Sequence, residues 1–263
     1  SSFPFTSKIP FSCLIFSASP CVVLRFFAIA SVRLSPPIGI VEVNCTTPSD
    51  TIATPVLVLP NTGLHELWKN GQYTPLTKIQ MLDLLIEMKK IVPSYVRIKR
   101  VMRDISEHES QAGASTTNLR QLAKLKMQEL GIHCNCIRCR EIGLQNKKPH
   151  SVDLLVNEYE ASEGKEFFIS YEDVKQNMLL GFVRLRIING DAAPSAFVRE
   201  LHVYGEMTPI GKASRQAQHM GLGSNLLAKA EEIAQSFGIT RLSVTSGVGV
   251  REYYRKLGYV LEG

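Results

Sequence analysis

The chain has 263 residues, of which 44% are hydrophobic, so it is long enough for one large globular domain or two ordinary ones. Its formal net charge of +6 is moderately basic and favours a polyanionic partner. Of the six cysteines, three are scattered through the first 45 residues and three lie within "HCNCIRCRE". This distribution excludes a small disulfide-rich secreted domain and favours a reducing, cytoplasmic compartment.

Residues 1–55 have no lasting helix or strand period and hold no acidic residue before Glu42. The apolar run "CLIFSASPCVVLRFFAIASV" is interrupted by Pro20 and Arg25 and is too short for a clean membrane span, so we expect no membrane association. Three interpretations stay open: a disordered or poorly packed tail, a targeting segment, or sequence foreign to the ancestral domain, such as a translated intron. Because clear patterning begins abruptly near Val56, the third is favoured.

The next segment predicts a strand–helix–strand order. We expect a strand at residues 56–59, a short helix at "LHELWKN", a helix from about Thr77 to Ile91 and a strand at "YVRIKRVM". This order is typical of one piece of an α/β barrel or open sheet. Residues 117–130, "TNLRQLAKLKMQEL", predict a capped amphipathic helix that ends at Gly131.

The chain from residue 150 onward predicts an α+β domain. Four strand-like runs come first, namely "HSVDLLVNEYE", "KEFFISYED", "NMLLGFVRLRI" and "SAFVRELHVYGEM". Apolar residues at three- and four-residue steps then predict an amphipathic helix over residues 224–237. A strand at "RLSVTSG" and a helix at "VREYYRKLGY" follow, and this mixture of elements favours the α+β class.

Two glycines, Gly221 and Gly223, come directly before the predicted amphipathic helix. The first N–H groups of a helix have no partner in the helix, and they lie at the positive end of its dipole. Glycine allows a phosphate to approach these groups closely, so an anion is the first candidate ligand. An ordinary tight turn is the alternative for an isolated G-x-G.

Gln218-x-x-Gly221-x-Gly223 at a helix start resembles the acyl-CoA signature of the GCN5-related N-acetyltransferase superfamily. Six blocks further resemble, in this order, the C-terminal half of the Elongator catalytic subunits, which modify the wobble uridine of tRNA: "TGLHELWKNGQY", "RIKRVMRDI", "NLRQLAKLKMQELGI", "RELHVYG", "QHMGLG" and "SGVGVREYYRKLGY". The resemblance covers about residues 56–263. It implies acetyl-CoA as the acetyl donor, tRNA uridine U34 as the destination, and other Elongator subunits as candidate partners.

The resemblance also implies a fold and its domains. We expect an α+β chain in which a GCN5-related acetyltransferase domain follows a remnant of an α/β radical SAM barrel. The expected bounds are 1–55 for a non-family or disordered segment, 56–116 for the barrel remnant, 117–150 for a linker with the cysteine cluster, and 151–263 for the acetyltransferase domain, truncated at its C-terminus. The family's three cluster cysteines are absent from this N-terminus, so we expect no [4Fe–4S] cluster, no S-adenosylmethionine and an incomplete tRNA reaction.

The family's acetyl-CoA site transfers onto two strips of this sequence and one tyrosine. The predicted cofactor-binding residues are Glu200, Leu201, His202, Val203, Gln218, Gly221, Leu222, Gly223, Ser224 and Tyr254. The predicted catalytic residues are Tyr254, Glu200 and His202. A phenol at Tyr254 could hydrogen-bond the thioester carbonyl or protonate the leaving thiolate, while Glu200 or His202 could orient a water or a base. Packing under the sheet is the alternative for this tyrosine.

Cys134-x-Cys136-x-x-Cys139 places three soft ligands within six residues, which suits a structural zinc ion with a fourth ligand from elsewhere. Candidates for the fourth ligand are His133, His108 and Asp104. An iron–sulfur cluster is the rival, but radical SAM signatures usually space their cysteines as C-x3-C-x2-C. Free or buried thiols are the third interpretation. The spacing favours zinc.

Basic residues concentrate on one predicted strand and one predicted helix. Alternation along "RIKRV", and lysines set off the apolar side of the helix, predict a basic face that binds tRNA phosphates. Its members are Arg97, Lys99, Arg100, Arg103, Lys124 and Lys126. Solvated surface charge is the alternative.

Two other functions stay open beside the tRNA-directed acetyltransferase. One is a free-standing N-acetyltransferase that acts on a protein lysine or a small amine, and the other is a non-catalytic truncated fragment. Hydrolysis of acetyl-CoA that depends on tRNA separates the first function from the second.

Overall fold

The computed structural model describes residues 41–47, 50–101, 105–145, 147–161, 164–189, 194–204 and 221–261. The chain divides into two compact units. Unit 1 comprises residues 1–88 and 98–132, and unit 2 comprises residues 89–97 and 133–263. The apolar run of the N-terminal segment lies outside the described residues. Within those that are described, no helix combines the length and the hydropathy needed to cross a membrane.

The described part of unit 1 contains a three-stranded sheet and three α-helices. Helix α2 and strand β3 each extend partly into unit 2. The elements are β1 (Val41–Thr47), β2 (Asp50–Pro55), α1 (Gly63–Lys69), α2 (Lys78–Ile91), β3 (Arg97–Arg100) and α3 (Leu119–Glu129). The strand order is β1-β2-β3, with β1 and β2 antiparallel. The helices were predicted, whereas β1 and β2 were not, although "VEVNC" in β1 alternates apolar and polar residues. Residues 56–59 form a single antiparallel bridge, Val58 to Ala112, rather than a strand.

Helix α3 follows the predicted pattern. Leu119, Ala123 and Met127 are buried at four-residue steps, so one stripe of the helix faces the interior. Arg120 lies beside this stripe, and its Nη2 donates to the carbonyls of Ile98 at 3.1 Å and Lys99 at 3.0 Å. The first turn of α3 is therefore fastened to β3.

Unit 2 contains a five-stranded sheet in the order β4-β5-β6-β7-β8. Its elements are α4 (Ile137–Arg140), β4 (Asp153–Ala161), β5 (Gly164–Asp173), β6 (Met178–Asn189), β7 (Pro194–Val203), α5 (Leu222–Ser236), β8 (Leu242–Val244) and α6 (Arg251–Lys256). The first three strand pairs are antiparallel and the last pair is parallel. The four predicted strand runs and the glycine-initiated helix are thus confirmed.

Both faces of the sheet in unit 2 are covered. On one face, α5 buries Leu226, Leu227 and Ala230 against apolar residues of the central strands. On the other face, a smaller cluster contains Ile137, Phe168, Leu179 and Phe182, with three tyrosines at its margin. Successive side chains of a strand point to opposite faces, so β5 and β6 need apolar residues on both sides.

The second face also holds buried charges. Arg184 has no exposed surface, and its Nη2 donates to the Tyr95 carbonyl at 3.0 Å. Glu166, also without exposed surface, pairs with Arg199 at 2.5 Å and accepts from the Tyr159 hydroxyl at 2.8 Å. Buried charges are tolerated when they are paired and hydrogen-bonded in this way. The alternating arginines of "FVRLRI" therefore point into a covered face.

Candidate functional site

Strands β7 and β8 separate part-way along β7. Residues 196–198 pair with residues 242–244, and the last contact is the Thr245 amide donating to the Val198 carbonyl at 3.2 Å. Just beyond, the register between β6 and β7 shifts, which makes Arg199 a bulge. Among the described residues, β7 from Arg199 to Val203 pairs only with β6. Its other edge offers backbone N–H and C=O groups to an extended ligand.

Helix α5 starts with the geometry of an anion site. Gly221 is left-handed, with φ 71° and ψ 14°, a conformation that glycine adopts without a Cβ clash. Its carbonyl accepts from the Ser224 hydroxyl at 2.7 Å and from the Asn225 amide at 3.0 Å. The amides of residues 222–224 belong to the first turn, whose N–H groups have no acceptor within a helix. They can therefore donate to a bound phosphate.

Gly223 lies where three elements meet. A Cβ at this position would lie 2.6 Å from the Tyr253 hydroxyl oxygen and 3.6 Å from Cγ2 of Val203. The end of β7, the first turn of α5 and helix α6 therefore converge on one glycine. The open edge of β7 and the amides of α5 thus belong to one site.

Tyr253, which the sequence analysis did not select, faces this site with its hydroxyl. Tyr254, the predicted residue, packs against the core on the α5 side, with its ring 5.4 Å from that of Tyr253 and 5.8 Å from that of Tyr259. Burial raises the pKa of Tyr253 and Tyr254, so both phenols stay protonated near neutral pH. Neighbouring helical residues point about 100° apart, so the "YY" pair shows that one tyrosine faces the site but not which one.

Glu200 and His202 lie on the opposite side of β7 from Leu201 and Val203. Leu201 and Val203 pack against the core beneath α5, whereas the His202 ring contacts Phe182 at 5.3 Å on the other face. This division follows from the alternation of side chains along a strand. The backbone of residues 200–203 can therefore line a ligand, but two of the four side chains point to one face of the sheet and two to the other.

The electrostatic surroundings of Glu200 and His202 differ. Glu200 lies 4.0 Å from Nε of the buried Arg184. Partial desolvation lowers the pKa of His202, although the residue is exposed overall and Glu200 acts in the opposite direction. The imidazole is therefore neutral at physiological pH and able to accept a proton.

The three predicted metal ligands come together in unit 2. The Sγ atoms of Cys134, Cys136 and Cys139 all lie within 4.8 Å of one another. Cys136 precedes α4 as its N-cap, and the Cys139 amide donates to the Cys136 carbonyl at 3.0 Å. Hydrogen bonds from the other two thiols lower the pKa of Cys139.

Arg140 holds the segment that carries the cysteines. It is 2% exposed, and its Nε donates to the carbonyl of Asn135, between the first two ligands, at 2.8 Å. Its Nη2 donates to the Ser94 carbonyl at 2.8 Å, and its Nη1 pairs with the buried Glu172. The cysteine segment is thus fixed by the protein itself.

A lysine completes the surroundings of the sulfur atoms. Lys89, near the end of α2, is 3% exposed, and its Nζ lies 3.3 Å from Sγ of Cys139. The two residues are 50 positions apart in the chain, and no local pattern links them. Sequence reasoning therefore missed this contact.

The remaining candidate ligands are not in this group. His133 is exposed, and no fourth His, Cys, Asp or Glu from the described part of the chain joins the three sulfurs. His108 lies in unit 1. Asp104, with Gln218 of the glycine loop and Arg103 of the basic face, lies outside the described residues.

The predicted basic residues lie in both units. In unit 1, Lys99 and Arg100 are exposed on β3, and Lys124 and Lys126 are exposed on α3, the helix that Arg120 ties to β3. Lys126 also pairs with Glu129 at 3.1 Å. Arg97 belongs to unit 2, where its guanidinium donates to the Tyr204 hydroxyl and lies 3.9 Å from the Glu141 carboxylate.

Two segments of the chain match known domain families. Residues 54–129 match the Radical_SAM C-terminal domain, and residues 137–259 match the Acetyltransferase (GNAT) family. Elongator complex protein 3 of Schizosaccharomyces pombe is 44% identical over 222 residues, which is 80% of this chain and 41% of that protein. The chain belongs to the Elongator complex protein 3 family. It carries a GNAT acetyltransferase domain, and the α+β fold expected from the sequence is confirmed.

Other relatives agree. Human Elongator complex protein 3 is 40% identical over 221 residues (80% of this chain, 40% of that protein), and the tRNA uridine(34) acetyltransferase of Methanocaldococcus jannaschii is 42% identical over 219 residues (78% and 40%). The solved structure of Methanocaldococcus infernus Elp3 with an N-terminal deletion matches with a TM-score of 0.73 and 38% identity, over 82% of this chain and 54% of that one. The chain spans about two fifths of the length of the curated relatives it matches.

Proposed function

We propose that this chain binds acetyl-CoA in unit 2 and supplies the acetyltransferase part of a carboxymethyl-type modification of tRNA uridine U34. The observation that carries the proposal is the meeting of the open edge of β7, the first turn of α5 and the Tyr253 hydroxyl at Gly223. The tRNA substrate is supported by the archaeal relative named tRNA uridine(34) acetyltransferase.

The proposed binding mode uses backbone groups. The pyrophosphate of acetyl-CoA accepts hydrogen bonds from the amides of residues 222–224, at the positive end of the α5 dipole. The amide groups of the pantetheine arm continue along the free edge of β7 from Arg199 to Val203 and pair with it as a short strand would. Because both contacts are made by the backbone, the site needs glycine at position 223 more than it needs any particular side chain.

The proposed chemistry at this site is cleavage of the thioester by water. The oxygen of water bonds to the acetyl carbonyl carbon as the bond from that carbon to sulfur breaks, and the leaving thiolate takes a proton from a tyrosine whose phenol is protonated near neutral pH. Tyr254 is the residue assigned by resemblance, while the hydroxyl of Tyr253 is the one that faces Gly223. His202, neutral and exposed, is suited to take a proton from water or from the acceptor, with Glu200 beside it.

We assign a structural zinc ion to Cys134, Cys136 and Cys139. In a tetrahedral site with Zn–S bonds of about 2.3 Å, the sulfur atoms are about 3.8 Å apart. The three Sγ atoms lie within 4.8 Å of one another, which fits three ligands on one ion. The cysteines of an iron–sulfur cluster bind separate iron atoms and so hold their sulfurs farther apart. A zinc ion here would stiffen the segment between residues 134 and 140. Elemental analysis should find one zinc per chain, and iron in excess of zinc would contradict the assignment.

The proposed acceptor, tRNA, binds to basic residues of unit 1. Lys99, Arg100, Lys124 and Lys126 offer four exposed cations on two connected elements of unit 1, which suits a phosphate backbone. The name of the fission-yeast relative supports other Elongator subunits as partners. The cysteine distribution supports the cytoplasm as the compartment, and we carry both as proposals.

Titration calorimetry with acetyl-CoA, followed by a hydrolysis assay with and without tRNA, tests the function. We expect acetyl-CoA to bind the parent chain and tRNA to stimulate its hydrolysis. Gly223→Asp, which brings charge and bulk to the α5 start, should abolish binding, while Gly247→Asp, at a glycine with open space around it, should not. Acetylation of a lysine peptide at a rate indifferent to tRNA would instead show an amine acetyltransferase. Unchanged affinity in Gly223→Asp would refute the site.

A further inference from the structure

The ammonium group of Lys89 is buried beside the cysteine cluster. Its Nζ lies 3.3 Å from Sγ of Cys139, and the residue is only 3% exposed. A buried ammonium group without a counter-charge is costly, because it loses its hydration and gains nothing in return. The side chain reaches this position from the last turn of α2, where the negative end of the helix dipole also favours a cation.

Charge counting explains why a cation belongs there. Three thiolates around one divalent ion leave a net charge of −1, most of which resides on the sulfur atoms. Cys134 and Cys136 are buried and Cys139 is exposed, so water reaches the charge on two of the three sulfur atoms poorly. One ammonium group at hydrogen-bond distance from a sulfur brings the sum to zero.

The other charged group that holds the cysteine segment does not supply this balance. Arg140 is also buried, but its Nη1 is paired with Glu172, and its Nε and Nη2 donate to the carbonyls of Asn135 and Ser94. Arg140 and Glu172 together are neutral. Lys89, in contrast, donates its hydrogen bond to Sγ of Cys139, one of the proposed ligands.

We propose that Lys89 is the counter-charge of the metal site and acts on the ion by hydrogen-bonding the Cys139 thiolate. It is a positioning residue rather than a ligand. The inference rests on the zinc site proposed above. Partners that hydrogen-bond metal ligands typically change metal affinity by about 10- to 100-fold, so the effect is measurable without any enzyme assay.

The test is a zinc competition titration of the whole chain against a chromophoric chelator, under reducing conditions. Lys89→Met keeps most of the length of the side chain and removes the charge, and we expect zinc affinity to fall by about tenfold or more. Lys90→Met removes an exposed charge from the same helical turn and should leave zinc affinity unchanged. Circular dichroism checks that each variant folds, and Lys89→Gln, which keeps a polar head in the cavity, replaces the methionine variant if that one does not.

A double-mutant cycle tests the route of the effect. In a Cys139→Ser background, replacing Lys89 should cause no further loss, because the sulfur through which it acts is gone. An equal loss in both backgrounds would overturn the assignment to Cys139. Parent affinity in the folded Lys89 variant would overturn the inference while leaving the zinc site intact. A parent chain that binds no zinc would refute the zinc site itself.

Discussion

Gly223→Ala is the smallest change that tests the acetyl-CoA site. The added Cβ would lie 2.6 Å from the Tyr253 hydroxyl oxygen, far inside van der Waals contact, and 3.6 Å from Cγ2 of Val203, which is ordinary contact. Tyr253 is 39% exposed, so its ring can swing away. The new methyl group would then occupy the space that a pyrophosphate needs beside the first amides of α5.

The effects on folding and on binding differ in size. Overpacking costs about 1 kcal/mol here, at the low end of its usual range because the ring is free to move. Replacing a helical glycine by alanine returns about 1 kcal/mol, so the free energy of unfolding should hardly change. Loss of one hydrogen bond to a charged phosphate costs about 1.5–3 kcal/mol. That corresponds to roughly 10- to 100-fold weaker acetyl-CoA binding.

Urea unfolding and calorimetry on the same preparations measure both quantities. Gly247→Ala is the matched control, because no atom lies within 4 Å of its added Cβ and its φ is an ordinary −68°. Combining Gly223→Ala with Tyr253→Phe removes the clashing oxygen and should leave affinity low. Parent-like affinity in Gly223→Ala would refute the reasoning that the backbone of this turn must be closely approached.

Three further outcomes are expected. Lys99→Gln with Lys124→Gln should weaken tRNA binding and reduce the slope of log affinity against log salt by about 1 to 2, with acetyl-CoA affinity unchanged. Arg140→Met should lower the free energy of unfolding by about 3–5 kcal/mol in a urea titration, because it strands the Glu172 carboxylate in the interior. The lowered pKa of His202 means that its stabilising contribution is present above about pH 6.5 and is lost as pH falls below that value. His202→Gln should therefore reduce the fall in the free energy of unfolding below about pH 6.5.

Each of these outcomes has its own control and refutation. Lys78→Gln, at an exposed lysine of α2, should leave the salt slope of tRNA binding unchanged, and a double variant equal to the parent at every salt concentration would exclude the basic face. Adding Glu172→Gln to Arg140→Met should restore part of the lost stability. If Arg140→Met alone is as stable as the parent, the buried Arg140–Glu172 pair does not contribute to the free energy of unfolding. If the free energy of unfolding of His202→Gln falls in acid as that of the parent does, another group controls the loss of stability in acid.

The sequence by itself determined the order and type of most elements. The periods of the four strand runs, the apolar stripe of α3 and the two glycines before α5 all record local preferences, which depend on neighbours within a few residues. The cysteine spacing likewise predicted three sulfurs close enough to share an ion, because two of them sit one turn apart at the start of α4. The hairpin of β1 and β2 was not predicted, although "VEVNC" in β1 alternates apolar and polar residues, because this alternation covers only five residues.

Only the tertiary structure decided which side chains meet. Tyr253 rather than Tyr254 faces Gly223 because the packing of α6 against the core sets the rotation of that helix. Lys89 reaches Cys139 across 50 positions of chain, and Arg97, predicted for the basic face, instead binds Tyr204. Such contacts arise from how elements pack, which depends on the whole unit, and a pattern read along a few residues of sequence carries no record of them.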